Sequence, residues 1–157
     1  MTETNYRLVA SQLTQAIGDE RDPLANAANF VAVLYNALDD VNWLGLYISR
    51  DGALVLGPFQ GLAAVARIES GQGVCGVAAA SRTTQRVADV HEFPGHIACD
   101  VASRSELVVP LEIDDQLIGV LDIDSPIVDR FSAADQDGVE SLCSVFVDVL
   151  AERGFAI

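Results

Sequence analysis

The sequence predicts an α+β domain: two N-terminal helices and a C-terminal helix packed on a central antiparallel β-sheet. Three observations carry that expectation. Apolar residues recur at helical spacing as far as Leu38, change to strand-like runs from Val41, and return to helical spacing after Ala133. Asp51-Gly52 and Asp114-Asp115 each separate two apolar runs, as hairpin turns do. Half of the 157 residues are apolar, and a chain of this length read as one domain (1–157) buries roughly 70% of its unfolded surface.

Taken in order, Asn5 to Gly18 reads as the first helix, with Leu8, Leu13 and Ile17 on one side and Gly18 as its stop. Asp22 can cap the second helix and Pro23 suits its first position; Leu24, Ala27, Ala28, Val31, Leu34, Tyr35 and Leu38 then keep helical spacing. Val41 to Ser49 and Ala53 to Phe59 form a first hairpin, and Ala66 to Glu69 is a short third strand. Gly71-Gln72-Gly73 leads into a short helix, Cys75 to Ser81, followed by a strand at Thr84 to Val87. The stretch from Asp89 to Ser103 has no period, and a loop of about 15 residues in a compact domain is usually functional or disordered. Ser105 to Ile113 and Leu117 to Asp124 make the clearest hairpin. The last helix runs from about Ala133 to Glu152. Ser132 and Asp135 are spaced as a capping box, and Val139, Leu142, Cys143, Phe146, Val149 and Leu150 form its apolar stripe.

Charge narrows the function. Against 23 acidic residues stand nine Arg and no Lys, a formal charge of −14. With no basic cluster, nucleic acid and anionic membranes are excluded as partners. No apolar run approaches the roughly 20 residues a membrane span needs. The polar stretch Met1 to Arg7 lacks a secretory pattern, so a cytoplasmic location is expected.

Three cysteines in such a chain are not a disulfide framework. Cys143 lies on the stripe of the last helix and reads as core. Cys99 sits in the long loop, in His91-Glu92-Phe93-Pro94-Gly95-His96-Ile97-Ala98-Cys99-Asp100, where an imidazolium would favour a thiolate and the acids would oppose it. Cys75 opens the short helix, whose dipole also favours a thiolate. Each of these two reads equally as an inert, partly buried thiol. Asp122 and Asp124, two apart on a strand, share a face with Ile118 and Val120, and Glu106 at the start of the partner strand reaches the same region. Either the strand end meets solvent, or the three acids line a pocket in which one keeps its proton and serves as a general acid. Trp43 and Tyr47 share a face of their strand, as core or as the aromatic wall of a pocket. A zinc set of Cys75, His91, His96 and Cys99 is a further possibility, although its spacing matches no compact zinc pattern.

The segments Gly73-Val74-Cys75-Gly76, Val87-Ala88-Asp89-Val90-His91, Pro94-Gly95-His96-Ile97-Ala98-Cys99-Asp100, Ser105-Glu106-Leu107-Val108-Val109-Pro110 and Gly119-Val120-Leu121-Asp122-Ile123-Asp124-Ser125 resemble the free methionine-(R)-sulfoxide reductases, which are stand-alone GAF-domain enzymes. The resemblance runs from about Asn42 to Phe131 and implies a GAF-like fold. It implies Cys99 as the catalytic nucleophile, Glu106, Asp122 and Asp124 as the carboxylates around the sulfoxide, and Trp43 and Tyr47 as the aromatic side of the pocket. Asp89 joins Trp43, Tyr47 and the three acids as a substrate-binding residue. It also implies free methionine-(R)-sulfoxide as substrate, thioredoxin as external reductant, no metal or organic cofactor, and a homodimer. One departure stands out: where the family typically carries a third cysteine, ten residues before Cys75, this chain has Val65. Cys75 is then the simplest resolving thiol for an oxidised Cys99. The alternative is a GAF module that senses a small molecule without chemistry.

Overall fold

The computed structural model describes residues 3–96 and 101–156. Asn5 caps α1 (Tyr6–Ile17) by accepting from the Leu8 N–H, and Asp22 caps α2 (Pro23–Ala37) by accepting from the Leu24 and Ala25 N–H groups. β1 (Trp43–Arg50) and β2 (Ala53–Gln60) turn through Asp51 and Gly52, both at positive φ, which lets a two-residue loop follow the right-handed strand twist. β3 (Arg67–Glu69) precedes α3 (Gly73–Ser81). This helix starts two residues earlier than its apolar pattern suggests, because the Gly76 N–H already reaches the Gln72 carbonyl at 3.0 Å. β4 (Gln85–Val87) follows, and the aperiodic stretch beyond it contains a 3₁₀ turn, Val90–Glu92, capped by Asp89. β5 (Ser105–Ile113), β6 (Gln116–Ser125) and α4 (Ala133–Arg153) complete the chain.

The strands form one sheet in the order β3-β2-β1-β6-β5-β4, with every neighbouring pair antiparallel. This is the expected α+β arrangement, with β1, β6 and β5 at its centre. Alternation sends Leu44 and Leu46, then Leu107, Val109, Leu111 and Ile113, then Leu121 and Ile123, to the face covered by α1, α2 and α4. Phe30 and Phe146 stack there at 4.3 Å and join α2 to α4. Cys143 belongs to this core, where burial pushes its thiol up and leaves it an inert apolar group, as its position on the stripe suggested. The intervening residues Trp43, Tyr47, Val108 and Val120 face the other way and pack with Val74, Cys75, Ala78 and Ala79 of α3. The central strands are therefore apolar on both faces. Among the described residues, no helix is long and apolar enough to cross a membrane.

One polar network fixes how α4 meets the rest. Ser132 and Asp135 form the anticipated capping box, and Asp135 also accepts from the Tyr6 hydroxyl at 2.6 Å and from Arg130 at 3.2 Å. Arg130, nearly buried, donates through Nε to the Asp39 carbonyl, so a single carboxylate links α1, the end of α2 and the start of α4. Gly138 admits the Tyr6 ring, since a Cβ there would lie 2.3 Å from ring carbons. Burial opposes the charge on Asp135, but the hydrogen bonds from Tyr6 and Ser132 and the Arg130 guanidinium together hold its carboxyl below the usual range. A depressed folded pKa adds stability above the unfolded value of about 3.9, and that stability is lost as acid protonates the folded group. Asp135→Asn should therefore cost about 1–3 kcal/mol in urea denaturation at pH 7, and the deficit should shrink toward pH 3. An equal deficit at both pH values would show that the charge of Asp135 is not what the network uses.

Candidate active site

The strand register brings the sequence-predicted acids together. Across β1 and β6, Trp43 pairs with Asp124 and Gly45 with Asp122; across β5 and β6, Glu106 pairs with Asp124 and Val108 with Asp122. Trp43, Asp124 and Glu106 thus form one row over three adjacent strands, with Gly45, Asp122 and Val108 as the next. The strand end does not meet solvent: Glu106 is 3% exposed, Asp124 1% and Asp122 0%. What covers it is the first turn of α3. The Cys75 sulfur, one carboxylate oxygen of Glu106 and one of Asp122 lie within 4.8 Å of one another.

Charges this close in a dry patch cannot all persist. Burial first, and then the charge of Asp124, push the Glu106 carboxyl well above the ordinary carboxylate range, against an opposing hydrogen bond with Asp122. The Glu106 carboxyl is thereby biased toward its protonated form, and in that form it is a hydrogen-bond donor and acid beside the apolar cluster under α3.

Trp43 and Tyr47, both 0% exposed, line the same face with ring centroids 6.0 Å apart, and Phe59 stacks on Trp43 at 5.4 Å. Gly45 makes this possible: a Cβ there would sit 2.5 Å from both the Trp43 ring and the Phe59 Cβ. The polar ends of the aromatics are spent on backbone. Trp43 Nε1 donates to the Leu62 carbonyl at 2.9 Å and the Tyr47 hydroxyl to the Val65 carbonyl at 3.0 Å. The segment between β2 and β3 is thereby strapped along the aromatic floor, and Val65 stands at its rim, 37% exposed.

Two loop residues sit differently from each other. His96 reaches the site, its Nε2 3.3 Å from Glu106 Oε2, and burial lowers its pKa so that it is neutral at pH 7. His91 does not reach it; its side chain is 62% exposed and lies beside Asp89, so the zinc set that included His91 is not assembled. Asp89 is engaged locally, accepting from the His91 backbone N–H and pairing with Arg104 at 3.3 Å. That N–H foremost, and then the guanidinium, hold its carboxylate below the usual range. Cys99 lies outside the described residues.

Sequence reasoning singled out the acids, Cys75 and the two aromatics but passed over Gly45 and Phe59. A glycine inside an apolar strand is a sign of close approach by another group, and that was the available signal. The partnership of His96 with Glu106 had none, because the loop path between them is aperiodic.

Comparison with known proteins extends this geometry. The GAF domain model matches residues 8–148. Free methionine-R-sulfoxide reductase of Escherichia coli (strain K12) is 53% identical over 132 residues, spanning 84% of this chain and 80% of its own. The structure of Staphylococcus aureus fRMsr in complex with substrate superposes with a TM-score of 0.91 at 48% identity, over 96% of this chain and 99% of that one. Free methionine-R-sulfoxide reductase from Neisseria meningitidis, also in complex with its substrate, gives a TM-score of 0.91 at 42% identity, over 97% and 92% of the two chains. A GAF fold with buried acids beneath one helix and relatives this similar place the chain in one family: it belongs to the free methionine-R-sulfoxide reductases, within the GAF-domain proteins.

Proposed function

We propose that this protein reduces free methionine-(R)-sulfoxide to methionine by thiol chemistry, with Cys99 as nucleophile. The observation that carries the reading is the buried Glu106–Asp122 pair within 4.8 Å of the Cys75 sulfur, with burial favouring the protonated Glu106 and the Trp43 and Tyr47 rings on the same face of the sheet. The Cys99 thiolate attacks the sulfoxide sulfur while the acid pair delivers its proton to the sulfoxide oxygen. The S–O bond breaks, and the protonated oxygen passes to the Cys99 sulfur as the new S–S bond breaks with its electron pair going to methionine. Methionine leaves, so that Cys99 is oxidised to a sulfenic acid and the sulfoxide reduced. Cys75 attacks that sulfur, water departs, and a Cys75–Cys99 disulfide remains. A dithiol reductant, thioredoxin by family analogy, returns both thiols by exchange. No organic cofactor takes part in these steps. Trp43, Tyr47 and Phe59 would hold the apolar side chain of the substrate, and Asp124 and Asp89 are candidates for its ammonium group. Family analogy also supports a homodimer.

The acid assignment has a pH signature. Activity that requires the protonated pair should fall as pH rises through its folded pKa, well above the ordinary glutamate value. Glu106→Gln should lower kcat by roughly 10²–10⁴-fold and remove that alkaline limb. Because Glu106 binds its proton more tightly folded than unfolded, its ionisation weakens the fold as pH rises. The Gln variant should accordingly be at least as stable as the parent at pH 8. Retained kcat in Glu106→Gln would overturn the assignment.

For the thiols, NADPH consumption with thioredoxin and its reductase is the assay. Sustained turnover is expected for the R sulfoxide and not for the S form. Cys99→Ser should be inactive, and Cys75→Ser should stop after one equivalent of methionine; steady turnover in Cys75→Ser would mean that an external thiol resolves the sulfenic acid. Silence of the parent with both thioredoxin and dithiothreitol would favour the sensor module instead.

The aromatic floor gives a separate test. Gly45→Ala forces Trp43 or Phe59 to move, at a stability cost of about 1–3 kcal/mol. Its kcat/KM should drop at least tenfold in a folded protein. Unchanged kinetics would remove Trp43 from the pocket.

A further inference from the structure

The register that gathers the acids also sets an ion pair beside them. β4 and β5 pair Gln85 with Val108 and Val87 with Glu106, and the same register carried two residues past the end of β4 puts Asp89 opposite Arg104. By alternation this pair belongs to the face of Glu106, one row further along. The main chain is fixed there. The Arg104 N–H donates to the Ser125 carbonyl at 2.7 Å, and the Arg104 carbonyl accepts from the Val90 N–H at 2.8 Å. The guanidinium meets the Asp89 carboxylate at 3.3 Å, with the side chains 42% and 22% exposed, so a solute can reach both.

Asp89 leaves the guanidinium with capacity to spare. It takes one terminal nitrogen, and among the described residues the enclosed Nε has no hydrogen-bond partner. Other arginines nearby are committed elsewhere: Arg86 pairs with Leu107 on the opposite alternation and reaches Gln136 of α4, and Arg130 is held by Asp135. A guanidinium forks onto a carboxylate through two parallel N–H bonds. In a chain of formal charge −14, an anionic group needs such a cation to be held near three buried acids. The spacing fits as well. Two residues along a strand cover about 7 Å, and the six bonds from a sulfoxide oxygen to a carboxylate oxygen of methionine sulfoxide also extend to about 7 Å.

We propose that Arg104, held by Asp89, binds the α-carboxylate of the substrate and so selects the free amino acid over forms whose carboxyl is an amide or a peptide bond. The choice of ligand rests on the reductase reading above. With the sulfoxide oxygen at Glu106, the carboxylate comes to lie one strand row away at the half-exposed guanidinium. Substrate thus enters with its apolar sulfur end toward the buried acids and its charged end toward solvent.

The full chain is assayed with dithiothreitol on L-methionine-(R)-sulfoxide and on its carboxamide, which keeps the ammonium and lacks the carboxylate. Calorimetry on Cys99→Ser protein gives the affinity for both compounds without turnover. The parent should prefer the free acid at least tenfold in kcat/KM. Arg104→Gln should raise KM and Kd for the free acid by roughly tenfold to a hundredfold and change those for the carboxamide less than twofold, so that the preference collapses. Arg104→Lys should restore only part of it, because an ammonium keeps the charge and loses the fork. Arg86→Gln, on the opposite alternation, should leave both compounds unaffected. Equal losses for acid and carboxamide in Arg104→Gln, or no loss for either, would overturn the proposal. If Cys99→Ser protein binds the sulfoxide and the parent reduces none of it, the reductase reading alone fails, and the calorimetric preference still decides the role of Arg104. Absence of binding would overturn both.

Discussion

Three carboxyl groups buried on one face of a β-sheet cannot all be ionised, and most of the candidate site follows from that restriction. Glu106, Asp122 and Asp124 come together because β5 and β6 pair in register and because period-two alternation points all three the same way. Once α3 closes over them, solvation is lost and a proton must be retained. The acid is therefore made by packing, and no unusual residue is needed to provide it. The same helix contributes Cys75, so covering the acids and delivering a thiol are one event in the fold.

The apolar side of the pocket depends on a missing atom. Gly45 leaves open the space that a Cβ would fill, and the Trp43 ring lies across it against Phe59. On the opposite face of the sheet, Tyr6 uses Gly138 in a similar way, so α1 packs against α4 close enough for its hydroxyl to reach Asp135. In both places a large ring is seated by a glycine opposite it. The first arrangement shapes a pocket, and the second anchors the helical layer that keeps the sheet flat side covered.

Much of this was legible along the chain. The helix caps Asn5 and Asp22, the capping box at Ser132 and Asp135, and both hairpin turns are local devices, and each lies where its residue types suggested. The shared face of Asp122 and Asp124 was equally legible, since it needs only the strand period. Whether that face was wet or dry was not, because the answer lies with α3, which docks from more than forty residues upstream of Asp122. His96 illustrates the same limit: as a residue type it belonged among metal ligands, but its partner in space is Glu106 and not His91. Backbone acceptors such as the carbonyls of Leu62 and Val65 leave no mark in a sequence at all.

Those two carbonyls determine how the strap between β2 and β3 can vary. Trp43 and Tyr47 grip main-chain oxygen, which every amino acid possesses, so the hold on the strap is indifferent to which side chains it carries. Position 65 is in this sense an interchangeable fitting at the rim of the site: valine or a thiol can occupy it while the floor beneath stays as it is. The fold thus separates what anchors the strap from what the strap presents, and its rim can change chemistry without any change to the aromatic residues beneath it.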